Sequence, residues 1–136
     1  MSKNKNLSGG LFAAKPTPLT QTESSISAQV KEYLDARGIY NDRLQCGRIR
    51  TANGHWIVMC ETGTPDRLAI VRGQAVFIET KTRGKKPSSD QLIKHDELRN
   101  NGALVIVADS FEQFKQQFSA IRAAIEENAR KGNLYD

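Results

Sequence analysis

The segments that decide the fold are Gly63-Thr64-Pro65-Asp66 and Phe77-Ile78-Glu79-Thr80-Lys81. Residues 68–71 and 75–78 are apolar throughout, which is typical of strands that are covered on both faces of a sheet. Gly73 stands between these two runs at the first central position of a two-residue loop, as a type II′ turn requires. The sequence therefore predicts a central β-hairpin whose turn is formed by residues 73 and 74.

This hairpin brings two carboxylates and one ammonium group to the same end of a ribbon. With residues 73 and 74 in the turn, Asp66 pairs with Lys81, and Leu68 pairs with Glu79. Because side chains alternate between the two faces of a strand, Asp66, Glu79 and Lys81 share one face. Folding does not need such a cluster, whereas phosphodiester hydrolysis with a hard metal ion does.

The chain of 136 residues has the length and composition of one globular domain, with 38% hydrophobic and 26% charged residues. Its net charge of +5 indicates an anionic partner. No apolar run is long enough for a membrane span or a signal peptide, so we expect an intracellular, cytoplasmic protein with no membrane partner. Cys46 and Cys60 form no zinc-binding pattern, and we expect free thiols in a reducing compartment.

The domain is expected to begin after a tail. Residues 1–19 are dominated by Lys, Asn, Ser, Gly and Pro, which predicts a flexible basic and polar segment. Residues 20–136 then form a single domain. Its predicted element order is α-β-β-β-β-α-β-α, which indicates an α/β fold in which a central mixed sheet is flanked by helices.

Capping signals predict where the helices of this domain begin. The first helix opens at Thr20–Glu23 and the second at Ser88–Gln91, because both stretches have capping-box spacing. A short apolar strand follows at residues 103–108. The C-terminal helix is predicted over residues 110–131, with Asp109 as its cap and an aromatic stripe that faces the core.

A first hairpin is predicted upstream of the central one. Residues 43–51 and 55–60 have strand character, and Asn53-Gly54 between them is a strong signal for a two-residue turn. In that register Ala52 pairs with His55.

These motifs resemble the PD-(D/E)XK nuclease superfamily, in which a Pro-Asp pair precedes one strand and a Glu-x-Lys triplet lies on the adjacent strand. Within this superfamily the chain is similar to the virus-type replication-repair nuclease domain, VRR-NUC, over residues 20–110. The resemblance implies a restriction-endonuclease-like fold and a metal-dependent nuclease. The matching segments are Gly63-Thr64-Pro65-Asp66, Ile78-Glu79-Thr80-Lys81, Pro87-Ser88-Ser89-Asp90-Gln91 and Gly102.

The residue types at these positions suit magnesium chemistry. Mg²⁺ usually binds one or two carboxylates and keeps several waters, and we expect Mn²⁺ to substitute for it. Asp66 and Glu79 would supply the carboxylates, and the resemblance implies that the backbone carbonyl of Thr80 adds another oxygen. Lys81 would orient the attacking water and help stabilise the transition-state phosphate. It could act as the base only if desolvation lowered its pKa, which the neighbouring carboxylates oppose, so we favour the positioning role. The alternative is a surface salt-bridge cluster in which Asp66 and Glu79 pair with Lys81 and Arg83.

The resemblance adds Glu23 and Gln91 as outer members of the site, with Glu23 reaching the metal directly or through water. Both residues also have a structural explanation, because Glu23 fits a capping box with Thr20, and Gln91 fits one with Ser88. The sequence leaves both explanations open. His95 lies on the apolar side of the second helix and is expected to be a satisfied core residue.

A basic loop follows the strand that carries the Glu-x-Lys triplet. Its cations Arg83, Lys85 and Lys86 pass the mouth of the predicted site and are expected to contact DNA phosphates. Arg48 and Arg50 on the first hairpin are weaker candidates for the same role. Nothing resembles a base-reading helix, so we expect recognition of DNA structure more than of base sequence.

The motifs together predict an endonuclease that hydrolyses phosphodiester bonds in DNA. Stand-alone proteins of the resembled family are similar to Holliday-junction resolvases, which implies branched DNA as partner and a role in repair or recombination. One small domain offers one site, so symmetric cutting of two strands predicts a homodimer. The alternatives are a flap or nicking nuclease that serves phage or mobile-element replication, and a catalytically silent subunit that binds nucleic acid.

Overall fold

The computed structural model describes residues 21–45 and 47–133. The predicted N-terminal tail, Thr20 and Cys46 lie outside the described residues, whereas Cys60 is described as a free cysteine. The described part of the chain contains these helices and strands: α1 (Glu23–Ala36), β1 (Tyr40–Arg43), β2 (Arg48–Arg50), β3 (Trp56–Val58), β4 (Arg67–Val71), β5 (Gln74–Thr80), α2 (Ser89–Asn100), β6 (Leu104–Ala108) and α3 (Phe111–Asn133).

The central sheet has four strands in the order β1-β4-β5-β6. Strand β4 is antiparallel to both β1 and β5, whereas β5 and β6 are parallel because helix α2 connects them. Strands β2 and β3 form a separate two-stranded ribbon. This mixed sheet flanked by helices confirms the predicted α/β fold of the PD-(D/E)XK type, and the β4–β5 hairpin lies at its centre as expected.

The core lies between the central sheet and helices α1 and α3. Helix α1 buries Ile26, Val30 and Leu34, which recur at helical spacing on one face. Phe114 and Phe118 of α3 are also fully buried and stack with ring centroids 5.4 Å apart. The aromatic stripe therefore belongs to the core, as predicted. No helix within residues 21–45 and 47–133 combines the length and apolar character that a membrane span requires.

The turn of the central hairpin differs from the prediction. Arg72 and Gly73 occupy its two central positions, with φ of 47° and 79°, and Val71 pairs with Gln74. Positive φ at both positions is the type I′ geometry, which matches the twist of the strands, and the predicted type II′ turn at residues 73 and 74 is wrong. The predicted register is therefore displaced by two residues. Each side chain stays on its predicted face, because the side-chain period of a strand is two.

The first predicted hairpin also differs. The chain leaves the central sheet after β1 and resumes as β2, so the single strand predicted over residues 43–51 is two strands. Arg50 pairs with Trp56, and the amide of Thr51 donates to the carbonyl oxygen of His55 at 2.8 Å. The loop therefore has three residues and ends at Gly54, whose φ is 82°. The predicted pairing of Ala52 with His55 is wrong by one position.

Two of the three helix caps predicted from the sequence differ from those in the structure. Helix α1 is capped by Thr22, whose hydroxyl accepts from the amide of Ser25 at 3.1 Å, so Glu23 is the first helical residue rather than a capping-box partner of Thr20. The Ser88 capping box of α2 is confirmed, with both reciprocal hydrogen bonds to Gln91 present.

The C-terminal helix is capped by Ser110 instead of Asp109. The hydroxyl of Ser110 accepts from the amide of Gln113 at 3.1 Å, and the helix runs from Phe111 to Asn133 rather than over residues 110–131. Asp109 is thereby released for a different contact, in which its carboxylate accepts from the backbone amide of Gly84 at 3.1 Å.

Candidate active site

The predicted site residues meet at one end of the central sheet. Asp66 directly precedes β4, and Glu79 and Thr80 are the last two residues of β5. Extending the β4–β5 register by one pair places Asp66 opposite Glu79, not opposite Lys81 as predicted. Cross-strand partners share a face, so the two carboxylates converge on the same side of the sheet.

Asp66 is held by hydrogen bonds on two sides. Its Oδ2 accepts from the amide and from the hydroxyl of Thr80, each at 3.0 Å, and its carbonyl oxygen accepts from the amide of Leu44 at 2.7 Å. The preceding Pro65 is fully buried. The carboxylate position is therefore fixed by β5 on one side and by the end of β1 on the other.

Glu79 is a buried carboxylate with an unused oxygen. The residue is 2% exposed, its Oε1 accepts from Nε2 of Gln91 at 2.9 Å, and the same oxygen lies 3.8 Å from Nζ of Lys81. Its Oε2 is buried and has no hydrogen-bond partner among the described residues. A buried carboxylate oxygen without a partner is costly, and it is where a cation would bind.

The charge balance around Glu79 is unfavourable to its ionised form. Burial raises the pKa of Glu79 from 4.5 to about 7, the carboxylate of Asp66 contributes to this rise, and the Lys81 ammonium lowers the pKa without cancelling these effects. Glu23 also raises this pKa, which places its carboxylate within electrostatic range of the cluster. A divalent cation between the carboxylates would instead favour the ionised form of Glu79.

Gln91 makes the hydrogen bonds of both of its expected roles, the helix cap and the contact with the site. Its Oε1 accepts from the amide of Ser88 at 2.9 Å and completes the capping box, while its Nε2 donates to Glu79. The amide has one acceptor end and one donor end, so capping the helix and orienting the carboxylate do not compete.

Glu23 reaches the site through the residue that follows Lys81. Its Oε1 accepts from the amide of Thr82 at 3.2 Å and lies 3.5 Å from the Thr82 hydroxyl. The N-terminal turn of α1 is thereby tied to the end of β5. The structure places Glu23 at the periphery of the Asp66–Glu79 pair.

Gly63 allows the loop before Asp66 to lie against helix α2. A Cβ atom at this position would stand 2.4 Å from the carbonyl oxygen of Asp90, and φ is 89°. Only glycine avoids both the collision and the strained backbone. This close approach brings the start of α2, which carries Gln91, to the same end of the sheet as Asp66.

The predicted DNA-contacting cations lie in two places. Arg83, Lys85 and Lys86 are exposed on the loop after β5, directly beyond Lys81. Arg48 and Arg50 are exposed on the separate β2–β3 ribbon, where the Arg50 guanidinium lies 5.9 Å from the ring centre of Trp56.

His95 is buried as predicted but is not hydrogen-bonded. The residue is 1% exposed, and neither ring nitrogen has a partner among the described residues. Burial and the charge of Arg99 lower its pKa, so the imidazole is neutral near pH 7.

The donor set available to a metal ion is small. Within residues 21–45 and 47–133, no group of three or more His, Cys, Asp or Glu side chains is arranged to hold a metal. A pair of carboxylates with one unused buried oxygen nevertheless fits Mg²⁺, which fills most of its coordination sphere with water and substrate oxygens.

Three contacts of the site were missed by the sequence analysis. The Thr80 side chain supports Asp66, Thr82 binds Glu23, and Asp109 binds the backbone of the basic loop. No local pattern predicts them, because each joins residues between 14 and 59 positions apart.

Comparison with known proteins agrees with this geometry, although no family model matches the chain. A solved structure described as "VRR_NUC domain" is similar with a TM-score of 0.56 and 29% identity, over 73% of this chain and 97% of that one. The chain carries a VRR-NUC domain. "Putative nuclease p44" of Acyrthosiphon pisum secondary endosymbiont phage 1 is 42% identical over 64 residues, or 46% of this chain. The match spans 63% of that relative's length, less than two thirds.

Proposed function

We propose that this VRR-NUC domain is a metal-dependent, structure-selective endonuclease that hydrolyses phosphodiester bonds in DNA. The observation that carries the proposal is the pairing of Asp66 with Glu79 at the end of the sheet, with Oε2 of Glu79 buried and without a partner among the described residues. The phage relative that is named as a nuclease supports the same activity.

Mg²⁺, or Mn²⁺ in its place, is the proposed cofactor. Asp66 and Glu79 would hold it, with the Thr80 carbonyl and Glu23 as further oxygen donors, directly or through water. The bound ion supplies a water of lowered pKa and stabilises negative charge on the phosphoryl oxygens. Burial and the proximity of Asp66, which together raise the pKa of Glu79, are the physical reason for a cation to bind there.

Lys81 is proposed to position the substrate. Its side chain is 14% exposed and its ammonium lies 3.8 Å from Oε1 of Glu79, beside the carboxylate pair. A charged ammonium can hold the attacking water and a phosphoryl oxygen, but it cannot accept a proton. Gln91 fixes the orientation of Glu79, and the cations Arg83, Lys85 and Lys86 bind the DNA backbone beside the site.

The proposed substrate is branched DNA, cut by a homodimer in the manner of a Holliday-junction resolvase. A two-fold dimer would place two sites on a symmetric four-way junction. Large apolar side chains of the β2–β3 ribbon are between 45% and 61% exposed, an unusual patch for a monomer, and a second copy of the chain is the proposed occupant. These side chains are Ile49, Trp56, Ile57 and Val58.

Two other functions remain as alternatives. The phage origin of the relative also suits a flap or nicking nuclease in phage replication. A catalytically silent DNA-binding subunit is the alternative from a different class, but the raised pKa of Glu79 is a cost that a retired site has no reason to keep.

Cleavage assays on three labelled substrates test this proposal: linear duplex, flap and four-way junction, each with Mg²⁺, Mn²⁺ or excess chelator. We expect cleavage only with metal, with the junction cut fastest. Asp66→Ala, Glu79→Ala and Lys81→Ala should abolish cutting and keep DNA binding, whereas Glu112→Ala, an exposed carboxylate of α3, should behave as wild type.

Each negative outcome has a separate meaning. Cleavage in excess chelator, or full activity of Glu79→Ala, refutes the metal-dependent nuclease. Metal-dependent cleavage with equal rates on all three substrates keeps the nuclease and refutes the structural selectivity.

A further inference from the structure

A polar cleft opens beside Asp66 where strand β1 ends. It has a volume of about 380 Å³ and is lined by Arg43, Leu44, Gln45 and Asp66. The hydrogen bond from the Leu44 amide to the Asp66 carbonyl fixes one wall of the cleft to the candidate active site. None of the cations predicted from the sequence to contact DNA lines this cleft.

The order of the strands places this cleft on the far side of Asp66 from the basic loop. Strand β4 lies between β1 and β5 in the sheet, so Asp66 has the end of β1 on one side and the end of β5 on the other. Glu79, Lys81 and the basic loop belong to the β5 side. Arg43 is the last residue of β1 and therefore flanks the carboxylate pair from the opposite side.

Arg43 stands opposite a second arginine. Arg43 and Arg67 are direct partners in the β1–β4 ladder, and like charges at such positions destabilise a sheet. Arg67 is 6% exposed, and its Nε is buried without a hydrogen-bond partner among the described residues. Burial lowers the pKa of Arg67, and the charge of Arg43 lowers it further.

The nearby carboxylates do not neutralise the repulsion between Arg43 and Arg67. Nη1 of Arg67 donates to the neutral Oδ1 of Asn41 at 2.8 Å, while Asp35, Asp42 and Asp66 act on the guanidinium from a distance. No carboxylate of the described residues forms an ion pair with either arginine. An anion bound at the exposed Arg43 would offset the repulsion.

We infer that the cleft binds a backbone phosphate of the cleaved DNA strand adjacent to the scissile phosphate, an inference that rests on the proposed nuclease function. Arg43 is the principal cation, because a guanidinium can donate two parallel hydrogen bonds to phosphate oxygens. Gln45, on the same cleft, offers an amide donor to the same group. The strand then runs from the basic loop, across the carboxylate pair, to the end of β1.

DNA affinity measured against salt concentration, in chelator, tests this inference without requiring cleavage. The variants are Arg43→Ala and Arg43→Lys, with Arg130→Ala as a control that removes one positive charge from α3. Loss of one phosphate contact should reduce the slope of log K against log salt by about 0.9 in Arg43→Ala. The slope of Arg130→Ala should equal that of wild type, and Arg43→Lys should keep the slope with reduced affinity.

A second arm locates the phosphate. Neutral methylphosphonate linkages are placed one at a time along the cut strand. At the linkage adjacent to the scissile phosphate, the substitution should weaken binding of wild type and cause no further loss in Arg43→Ala. A melting curve of each variant checks the fold, and Arg43→Ala should melt at or above the wild-type temperature because the arginine repulsion is relieved.

Three results would overturn the inference. One is an unchanged salt slope in Arg43→Ala. Another is a loss of DNA affinity in Arg43→Ala that adds to the loss caused by the methylphosphonate at every linkage. The last is Arg43-dependent thermal stabilisation by inorganic phosphate with unchanged DNA affinity, which would indicate a site for free phosphate. Failure of wild type to cut DNA with Mg²⁺ refutes the proposed function instead and is measured separately.

Discussion

The side-chain amide of Gln91 donates a 2.9 Å hydrogen bond to Oε1 of the buried Glu79. The oxygen of the same amide accepts from the Ser88 backbone and completes the cap of α2. The start of the helix and the orientation of the carboxylate are therefore set by one planar group. Any substitution of Gln91 alters both the helix cap and the orientation of Glu79. Separating the two effects therefore requires a reference variant that alters only the cap.

Ser88→Ala provides that reference. It removes the hydroxyl that caps the helix and should cost about 1 kcal/mol of stability with activity intact. Gln91→Ala should cost a similar amount and also lower the cleavage rate by about 10- to 100-fold, as loss of a partner that orients a metal ligand does. Urea denaturation and single-turnover cleavage measure the two effects. Equal cleavage rates in both variants would reduce Gln91 to a capping residue.

The stability of the metal-free protein should fall as pH rises from about 4.5 to 7. Burial gives Glu79 a pKa of about 7 in the folded protein, against an ordinary value of 4.5 when the chain is unfolded, so the folded state binds more protons in this window. Stability is then fully present below pH 4.5 and is lost as pH rises through 7, by as much as about 3 kcal/mol.

Urea unfolding in chelator, compared between wild type and Glu79→Gln, isolates this contribution because the other titrating groups cancel. The difference between the two proteins should widen with pH in favour of Glu79→Gln. Added Mg²⁺ should raise the melting temperature of wild type at pH 7.5 and leave that of Glu79→Gln unchanged. A difference that is flat with pH would show that Glu79 is ionised normally.

Glu23→Gln separates a charge effect from a structural one. Glutamine keeps an oxygen that can accept from the Thr82 amide, but it removes a negative charge that raises the pKa of Glu79. We expect an unchanged melting temperature, a fall in activity by orders of magnitude at limiting metal, and partial rescue by high Mn²⁺. Glu32→Gln, an exposed carboxylate elsewhere on α1, is the matched control. Wild-type turnover of Glu23→Gln would return Glu23 to a purely structural role.

The face of the central hairpin was predictable, although its register was not. The strands are apolar on both sides, so hydrophobicity does not distinguish registers that differ by two residues. In addition, no sequence pattern indicates that Arg72 adopts a positive φ. Asp66 still lies on the same face as Glu79, because a displacement of two preserves the alternation of side chains. The two carboxylates therefore converge as expected, although the predicted turn is wrong.

The first hairpin was harder to predict, because every residue of β2 and β3 is exposed. A strand with no buried face has no pattern that fixes its register, and a one-residue error reverses its faces. The hydrogen bonds of Thr80, Thr82 and Asp109 were beyond local analysis for another reason: they depend on which strand ends become neighbours in the folded sheet.

The apolar β2–β3 ribbon should control the oligomeric state. Trp56 is 61% exposed and its ring lies 5.9 Å from the Arg50 guanidinium, so Trp56→Asp should leave the melting temperature nearly unchanged. We expect light scattering to report a dimer for wild type and a monomer for Trp56→Asp. Ile93→Asp, an exposed apolar position on α2, should remain dimeric. A wild-type monomer at working concentration would remove the support for paired cutting.

Asp109 should strengthen DNA binding although its charge repels DNA. Its carboxylate accepts from the Gly84 amide and holds the loop that carries Arg83, Lys85 and Lys86. Removing a negative charge beside a cationic loop would by itself tighten binding. Losing the loop anchor, a hydrogen bond worth about 1 kcal/mol, would weaken binding by about fivefold.

The two effects have opposite signs, so a pair of variants separates them. Asp109→Asn keeps an oxygen acceptor for Gly84 and should bind DNA as tightly as wild type or more tightly. Asp109→Ala loses the acceptor and should bind several-fold more weakly, with the salt slope unchanged because no phosphate contact is removed. Fluorescence anisotropy on a four-way junction measures both quantities. Tighter binding by Asp109→Ala than by wild type would mean that the loop keeps its shape without Asp109 and that charge alone governs its contact with DNA.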